Sequence, residues 1–473
     1  MKNEPRTQFR SAPPFATDVA ARGQGRYLVR CLPLSPAKES FAVAKTLEKR
    51  LSRRNFSALT VIAGVSGSFR FSARGDGPND RLQVGFIGVG TMGRGHLGAF
   101  LGDASTQVIS VCDVVRERRA DAKERVEKRY AGARKKGSFA GCSEFVDFRE
   151  LLAKGGVDAV VIATPDHWHS LQTILAAAAK KHVYCEKPLT RTIGEGRRLV
   201  EAVAKAGICF QTGSQQRSEF GGRFRQAAEL VRNGRVGKLK TIRIGVGGPA
   251  VACDLPAQPV PDGTDWERWV GPAALRPYNE ILCPRGIHKH FPAWRNYREY
   301  AGGGLADMGA HHFDIAQWAL DMDASGPISI EPPTDPKANA GLRYVYANGV
   351  EMFHGGEADC VFVGDRGVIR VSRDKIGSEP KNLLTDPLPA GAVKLYRADS
   401  HRRNWLDSIR SGKPPICPSE TGHRSASICH LGNIGYQVRR KLTWDPKTER
   451  FAGDEAANAL VDPAPRAPWL FPS

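Results

Sequence analysis

Residues 82–93 read LQVGFIGVGTMG. Leu82–Gly88 is an apolar run with the length of a buried strand, and Gly88, Gly90 and Gly93 after it form a GxGxxG turn. In such a turn the first glycine allows the tight bend and the second lets backbone approach a pyrophosphate. The third lets the following helix pack on the strand. Thr91 and Met92 open that helix, whose N-terminal N–H groups and positive dipole end suit phosphate. The next apolar run, Thr106–Asp113, ends in a carboxylate 20 residues beyond Gly93, where it can hold ribose hydroxyls. The spacing predicts a dinucleotide site on Gly88, Gly90, Thr91, Met92, Gly93 and Asp113. Asp113 favours NAD, because a carboxylate repels the extra phosphate of NADP; Arg116 nearby keeps NADP as the alternative.

From Leu82 onward, short apolar runs alternate with helical patterns. A charged helix follows Asp113 to about Arg129, and a short one covers Phe145–Lys154. Val157–Thr164 reads as a fully buried strand, then Ser170–Lys180 as helix, His182–Cys185 as strand, Gly194–Ala206 as helix and Ile208–Thr212 as strand. Repeated strand–helix units predict a parallel sheet covered on both faces, a Rossmann domain over 82–213. The texture then changes. A helix near Arg223–Asn233 leads to a half-exposed strand, Lys238–Val246, and a long Pro- and Trp-rich loop follows. Next come a Gly302-Gly303-Gly304 hinge, a helix Ala310–Leu320, and a run of strands from Ile328 to Val371. This predicts an α+β domain over 214–441 with a mostly antiparallel open sheet, and 442–473 as a surface arm.

A chain of 473 residues with 41% hydrophobic and 25% charged residues has the material for two domains. No apolar run approaches the ~20 residues of a spanning helix, so stable membrane insertion is not expected. The 10 cysteines lack CxxC or Cys/His spacing, which argues against zinc and against a disulfide framework. Residues 1–73 carry +9 of the formal +20 charge. The basic residues of Arg116–Lys136 interleave with acidic ones, as on a solvated helix face. With no recognisable binding module, nucleic acid is not an expected partner.

Residues 1–42 lack periodicity and read as a disordered or untranslated leader. Ser52-Arg53-Arg54-Asn55-Phe56 precedes a modest apolar stretch, Ala58–Phe71, and a small residue, Ala73. That order is a secretory layout, and paired arginines before Phe resemble the twin-arginine export signal. Residues 43–73 are therefore expected to engage twin-arginine export machinery and place the protein in the periplasm or otherwise outside the cytoplasm; the cytoplasm is the alternative if the signal is not functional. A start at Val43 fits the layout, since no methionine lies between Met1 and Met92.

Three further clusters can carry chemistry. Glu186-Lys187-Pro188 lies at the C-terminal end of a predicted strand, the edge where open α/β sheets bind ligands. Thr164-Pro165-Asp166-His167-Trp168-His169 ends the preceding strand in the same way. Asp307 and His311 are four apart, on one helix face, with Asp314 three beyond. Two such ligands without a third are a poor metal site; a packed histidine or a general base beside a carboxylate are the other readings.

Taken in order, the glycine loop, Thr164-Pro165, Glu186-Lys187-Pro188 and Gly302 through Asp314 resemble the Gfo/Idh/MocA family (glucose–fructose oxidoreductase/inositol dehydrogenase). The resemblance runs from Leu82 to the C-terminus, whose ending looks like a secreted branch. It implies a nicotinamide cofactor on the glycines and Asp113, with Thr164, Pro165, His169 and Glu186 around the cofactor crevice. Lys187 matches the catalytic lysine, Asp307 the substrate-orienting carboxylate, and His311 the proton-transferring histidine. His312 departs from the inositol enzymes, where an acidic residue is common, and weakens inositol as substrate. Association into a homo-oligomer is also implied.

The expected function is hydride transfer between NAD and a secondary alcohol of a sugar, polyol or glycoside, with the cofactor retained and recycled. A redox-neutral NAD-dependent glycosidase is the first alternative. A cofactor-binding protein without turnover is the second.

Overall fold

The computed structural model describes residues 81–357 and 359–472. The leader over 1–42 and the export signal over 43–73 lie outside the described residues.

Six parallel strands form the first sheet: β1 (Leu82–Ile87), β2 (Thr106–Cys112), β3 (Ser143–Phe145), β4 (Ala159–Ile162), β5 (His182–Cys185) and β6 (Phe210–Thr212). Their order is β3-β2-β1-β4-β5-β6. The central strands are apolar almost throughout because helices cover both faces. The chain reverses its direction of growth between β1 and β4, which opens a crevice at their carboxyl ends. Gly88 follows the first of those ends directly, and Ala163-Thr164 the second.

The second sheet holds β7 (Leu239–Ile244), β8 (Ser329–Glu331), β9 (Arg343–Val345), β10 (Glu351–His354), β11 (Cys360–Gly364), β12 (Val368–Val371), β13 (Ile376–Glu379), β14 (Leu442–Asp445) and β15 (Arg450–Phe451). The order is β13-β12-β11-β7-β10-β9-β8-β14-β15. Only β7–β10 is parallel; the other pairs are antiparallel. Helices Arg223–Arg232, Gly309–Leu320 and Ser419–Val438 share one apolar core with this sheet, through Phe224, Phe313 and Ile428 against Ile242, Phe362 and Tyr344.

Several elements differ from the sequence reading. The helix after β4 begins at Asp166, not Ser170, because Pro165 is pre-set for the residue before the first turn and Asp166 complements the dipole there. Phe145 ends β3, and the next helix starts at Phe148, capped by the Asp147 side chain on Arg149 N. The triple glycine is no hinge. Gly303 takes φ +70, and a Cβ there would meet Ala250 N at 2.5 Å, while one on Gly304 would meet Gly247 Cα at 2.7 Å. Bare backbone is needed so that the helix can lie on the end of the β7 segment. Residues 442–473 begin as β14 and β15 of the sheet, not as an arm. Helix Ser419–Val438 escaped notice because it is buried nearly all round and carries no amphipathic stripe.

The first sheet also borrows residues from far along the chain. Trp405, on helix His401–Ser411, is fully buried against Phe100 and Tyr184, and Trp469 packs edge-on against Trp168.

Candidate active site

The glycine loop is built for close approach. Gly88 sits at φ +84, and a Cβ there would meet the Ala163 and Thr164 backbone at 2.8 Å; a Cβ on Gly93 would collide with Gly88 O. Gly90 faces open space, with nothing within 4 Å of where a Cβ would stand. Helix Thr91–Gly102 starts there with no side-chain cap, which leaves its first N–H groups for a ligand. Asp113 braces the loop, accepting from Val89 N and Val115 N at 2.9 Å on separate oxygens. Each oxygen keeps a lone pair for a ribose hydroxyl.

These residues line a cleft, with Gly88, Gly90, Thr91, Met92 and Asp113 on one side and Thr164, Pro165 and Trp168 on the other. Its exposed amide cradle fits the phosphates of a dinucleotide. Arg116 is not part of the lining. Arg118 is, but its guanidinium donates to Gly286 O at 3.0 Å and to Pro284 O, so it is already engaged.

Those two carbonyls belong to a segment that closes the outer wall of the cleft. Leu282, His288, Pro292 and Trp294 line it, together with Trp469. Thr91 Oγ1 donates to His290 O at 2.9 Å and Arg94 to His288 O at 2.5 Å. The second domain thus straps across the start of the glycine-loop helix.

Met92, Ala163 and Thr164 line a second cavity as well, so the cofactor cleft adjoins it. Lys187, Asp307 and His311 converge there. Lys187 Nζ donates to Asp307 Oδ1 at 2.7 Å and to Asp307 O at 2.8 Å, while Arg295 Nε lies 3.6 Å from the same carboxylate oxygen. Burial pushes the Asp307 carboxyl up, but the Lys187 and Arg295 charges outweigh it and hold the group below its ordinary value. His311 is buried with no partner for Nδ1, and burial with the Lys187 and Arg373 charges holds its imidazole well below the usual range. A neutral imidazole can accept a proton. Asp307 is not its ion-pair partner, because that carboxylate is occupied by Lys187 and Arg295.

Two expected cofactor residues stand elsewhere. Glu186 lines the second cavity, not the cofactor cleft; Oε1 lies 2.7 Å from His96 Nε2 and accepts from Gln215 at 2.8 Å. Burial pushes this carboxyl up, but His96, Lys187 and Gln215 together outweigh it and hold the group below its ordinary value. His169 lines neither cavity. Its ring nitrogens sit 2.8 Å from Pro188 O and 2.9 Å from Thr164 O, so it clips together the loops after β5 and β4. Its helix turns the ring inward, away from the crevice. Asp314 likewise serves packing: it is fully buried, pairs with Arg217 at 2.8 Å and accepts from Ser425.

Four cavity residues went unremarked as site residues in the sequence. Asp166 is buried in the cavity wall, and desolvation pushes its carboxyl up to about 8 against the pull of Arg295. Its place inside the Thr164–His169 run was the available signal. Trp294 and Arg295 come from a single 3-10 turn, Ala293–Asn296, and Arg373 from the loop after β12, none with a periodicity to mark it. Among the described residues, no group of three or more His, Cys, Asp and Glu could hold a metal ion, and no helix is long and apolar enough to cross a membrane.

Residues 82–214 match the family described as "Oxidoreductase family, NAD-binding Rossmann fold", and residues 250–471 its companion, "Oxidoreductase family, C-terminal alpha/beta domain". The chain is 24% identical over 389 residues to the myo-inositol 2-dehydrogenase of Thermotoga maritima, an alignment covering 76% of this chain and 98% of that one. It is 23% identical over 375 residues to inositol 2-dehydrogenase 3 of Saccharopolyspora erythraea, covering 74% and 91%. Among solved structures, the WlbA dehydrogenase of Bordetella pertussis, in complex with NADH and UDP-GlcNAcA, superposes with a TM-score of 0.53 at 18% identity, covering 77% and 99%. The scyllo-inositol dehydrogenase of Lactobacillus casei, with NAD(H) and scyllo-inositol, does so with a TM-score of 0.50 at 17% identity, with the same coverage. At those identities the likeness concerns the fold.

Proposed function

Since the chain belongs to the Gfo/Idh/MocA oxidoreductase family, with an NAD-binding domain, we propose that it oxidises and re-reduces a secondary alcohol of a sugar, polyol or glycoside. One observation carries this reading: the cofactor cleft shares a wall with the cavity where Lys187, Asp307 and His311 meet. NAD, when bound, supplies the acceptor and donor of hydride. His311, neutral at working pH, takes the hydroxyl proton as the alcohol is oxidised and returns it on reduction. Lys187 stabilises the negative charge that develops on the substrate oxygen. Asp307, ionised by its cationic neighbours, holds Lys187 in place and offers an acceptor to a second substrate hydroxyl.

Retention of the cofactor is part of the proposal. The strap from Pro284 to His290, bonded to Thr91, Arg94 and Arg118, and the Trp469 ring on the cleft wall both oppose dissociation. Recycling within one site also suits the export expected of residues 43–73, since free NAD is scarce outside the cytoplasm. The redox-neutral glycosidase alternative draws on Asp166, a protonated carboxyl in the same cavity that can protonate a leaving oxygen.

The test is turnover of purified protein on a panel of polyols, sugars and aryl glycosides, following reduced nicotinamide and released aglycone without added NAD. Reduced nicotinamide or hydride exchange supports the oxidoreductase reading, and aglycone release with no net reduction supports the glycosidase. Silence on both counts, even with NAD supplied, overturns both.

A further inference from the structure

Arg373 stands in the wall of the substrate cavity, just beyond β12, on a side chain that is built into position. Its Nε donates to Gln216 Oε1 at 3.1 Å, and the same fully buried amide points its Nε2 at His311 O, 3.5 Å away. Its Cζ lies 4.9 Å from the Phe220 ring centroid. Phe220 holds that ring from a left-handed backbone, φ +59, a conformation that costs a non-glycine residue energy and concentrates at functional sites. Arg223 bonds both segments, donating to Phe220 O at 2.6 Å and to Arg373 O at 3.3 Å.

The positioned guanidinium is not used up. Lys187 and Arg295 share the Asp307 carboxylate. Among the described residues, Arg373 has no carboxylate within 4.0 Å, and its terminal amino groups have no hydrogen-bond acceptor. Asp307 and Asp374 act on it only from beyond that distance. A half-buried cation whose Nε is fixed and whose two terminal groups are free presents the planar fork that matches a carboxylate. A neutral hydroxyl would leave that charge uncompensated once substrate displaced water from the cavity.

We propose that Arg373 receives a carboxylate borne by the substrate, so that the sugar or polyol oxidised here is an acidic one, of the uronic or aldonic acid class. The inference rests on the oxidoreductase reading for the chemistry and deepens it at the same site. It has a catalytic corollary. The positive charge of Arg373 is among the causes that depress His311, so pairing it with a substrate carboxylate makes the histidine a stronger base when the acidic substrate is bound.

The experiment compares D-glucuronate, D-gluconate, D-glucose and glucose 6-sulfate on the wild-type holoenzyme. It measures kcat/KM, and separately Kd from quenching of tryptophan fluorescence. The acids should exceed glucose by about ten- to hundredfold, the range of a hydrogen-bonded charge pair. In Arg373→Met that ratio should fall towards one, and Arg373→Lys, which keeps charge but loses the fork, should restore part of it. With the acids, the pH at which turnover rises should lie higher than with glucose, in wild type only. Equal use of glucose and the acids by wild type overturns the proposal, as does a stronger preference for the sulfate ester. So does a loss in Arg373→Met that is the same for every substrate. If nothing turns over but acid binding still depends on Arg373, the oxidoreductase reading fails and the carboxylate receptor stands.

Discussion

Lys187 Nζ lies 2.7 Å from Asp307 Oδ1, a contact between residues 120 positions apart that joins the carboxyl edge of the parallel sheet to the helix opening the second domain's core. The same ammonium also donates to Asp307 O. The two domains therefore meet through two of the residues proposed to act on the substrate.

Turnover should depend on Lys187 and His311 far more than cofactor binding does. Acid–base groups contribute ~10²–10⁴ in rate, so Lys187→Ala and His311→Ala should each lose activity of that order while NAD titrates normally. Steady-state kinetics beside cofactor fluorescence check this; near-normal kcat in either variant removes that residue from the mechanism.

Asp113→Ala should weaken NAD more than NADP. It removes the ribose acceptor and also unpairs Val89 N and Val115 N, so the glycine loop loses its brace. Calorimetric titration with both nucleotides decides it. Tighter NADP than NAD binding by the wild type would refute the assignment.

The strap should set the lifetime of bound cofactor. Arg118→Ala frees Gly286 O and Pro284 O. Hydrogen bonds from a charged donor are worth ~1.5–3 kcal/mol, so release should accelerate by about ten- to hundredfold. Wild-type protein should keep NAD(H) through dialysis and the variant should need added NAD; equal retention by both would detach the strap from this role.

Asp166 should tie stability to pH. Its folded value is raised to about 8 from 3.8, so between those limits the folded chain holds a proton that the unfolded chain has lost. The contribution is fully present below 3.8 and disappears as pH rises towards 8. Urea midpoints at the two ends of this window should fall further in wild type than in Asp166→Asn. Parallel changes in both proteins would mean that the carboxyl is ionised throughout.

Export should require the paired arginines. Changing Arg53 and Arg54 to lysine should leave folded, cofactor-loaded protein in the cytoplasm, as fractionation would report. Unchanged export would remove the twin-arginine assignment.

The Rossmann half was readable because burial on both faces leaves continuous apolar strands, and because the turn after β1 needs glycine at Gly88 for contact reasons that show as spacing. Lys187, Asp307 and His311, which the motifs single out, line one cavity. No motif marks the strap or Arg373. They sit in loops whose positions are set by bonds to Thr91, Arg94 and Gln216, and no local period encodes a partner more than 100 residues away. The partners of Glu186 and His169 were illegible for a related reason. Glu186 lines the second cavity against His96 and His169 bonds Pro188 O, contacts invisible until the strands are aligned.

Trp405 fills the middle of the first sheet's core, beside Phe100 and Tyr184, yet it is synthesised after the second sheet's β7 to β13. As the chain leaves the ribosome, the nucleotide-binding half must wait with a tryptophan-sized gap in it. A fragment cut after β6 would lack that tryptophan and bare the faces of Phe100 and Tyr184 that it covers, so the nucleotide-binding half should be less stable alone than within the whole chain.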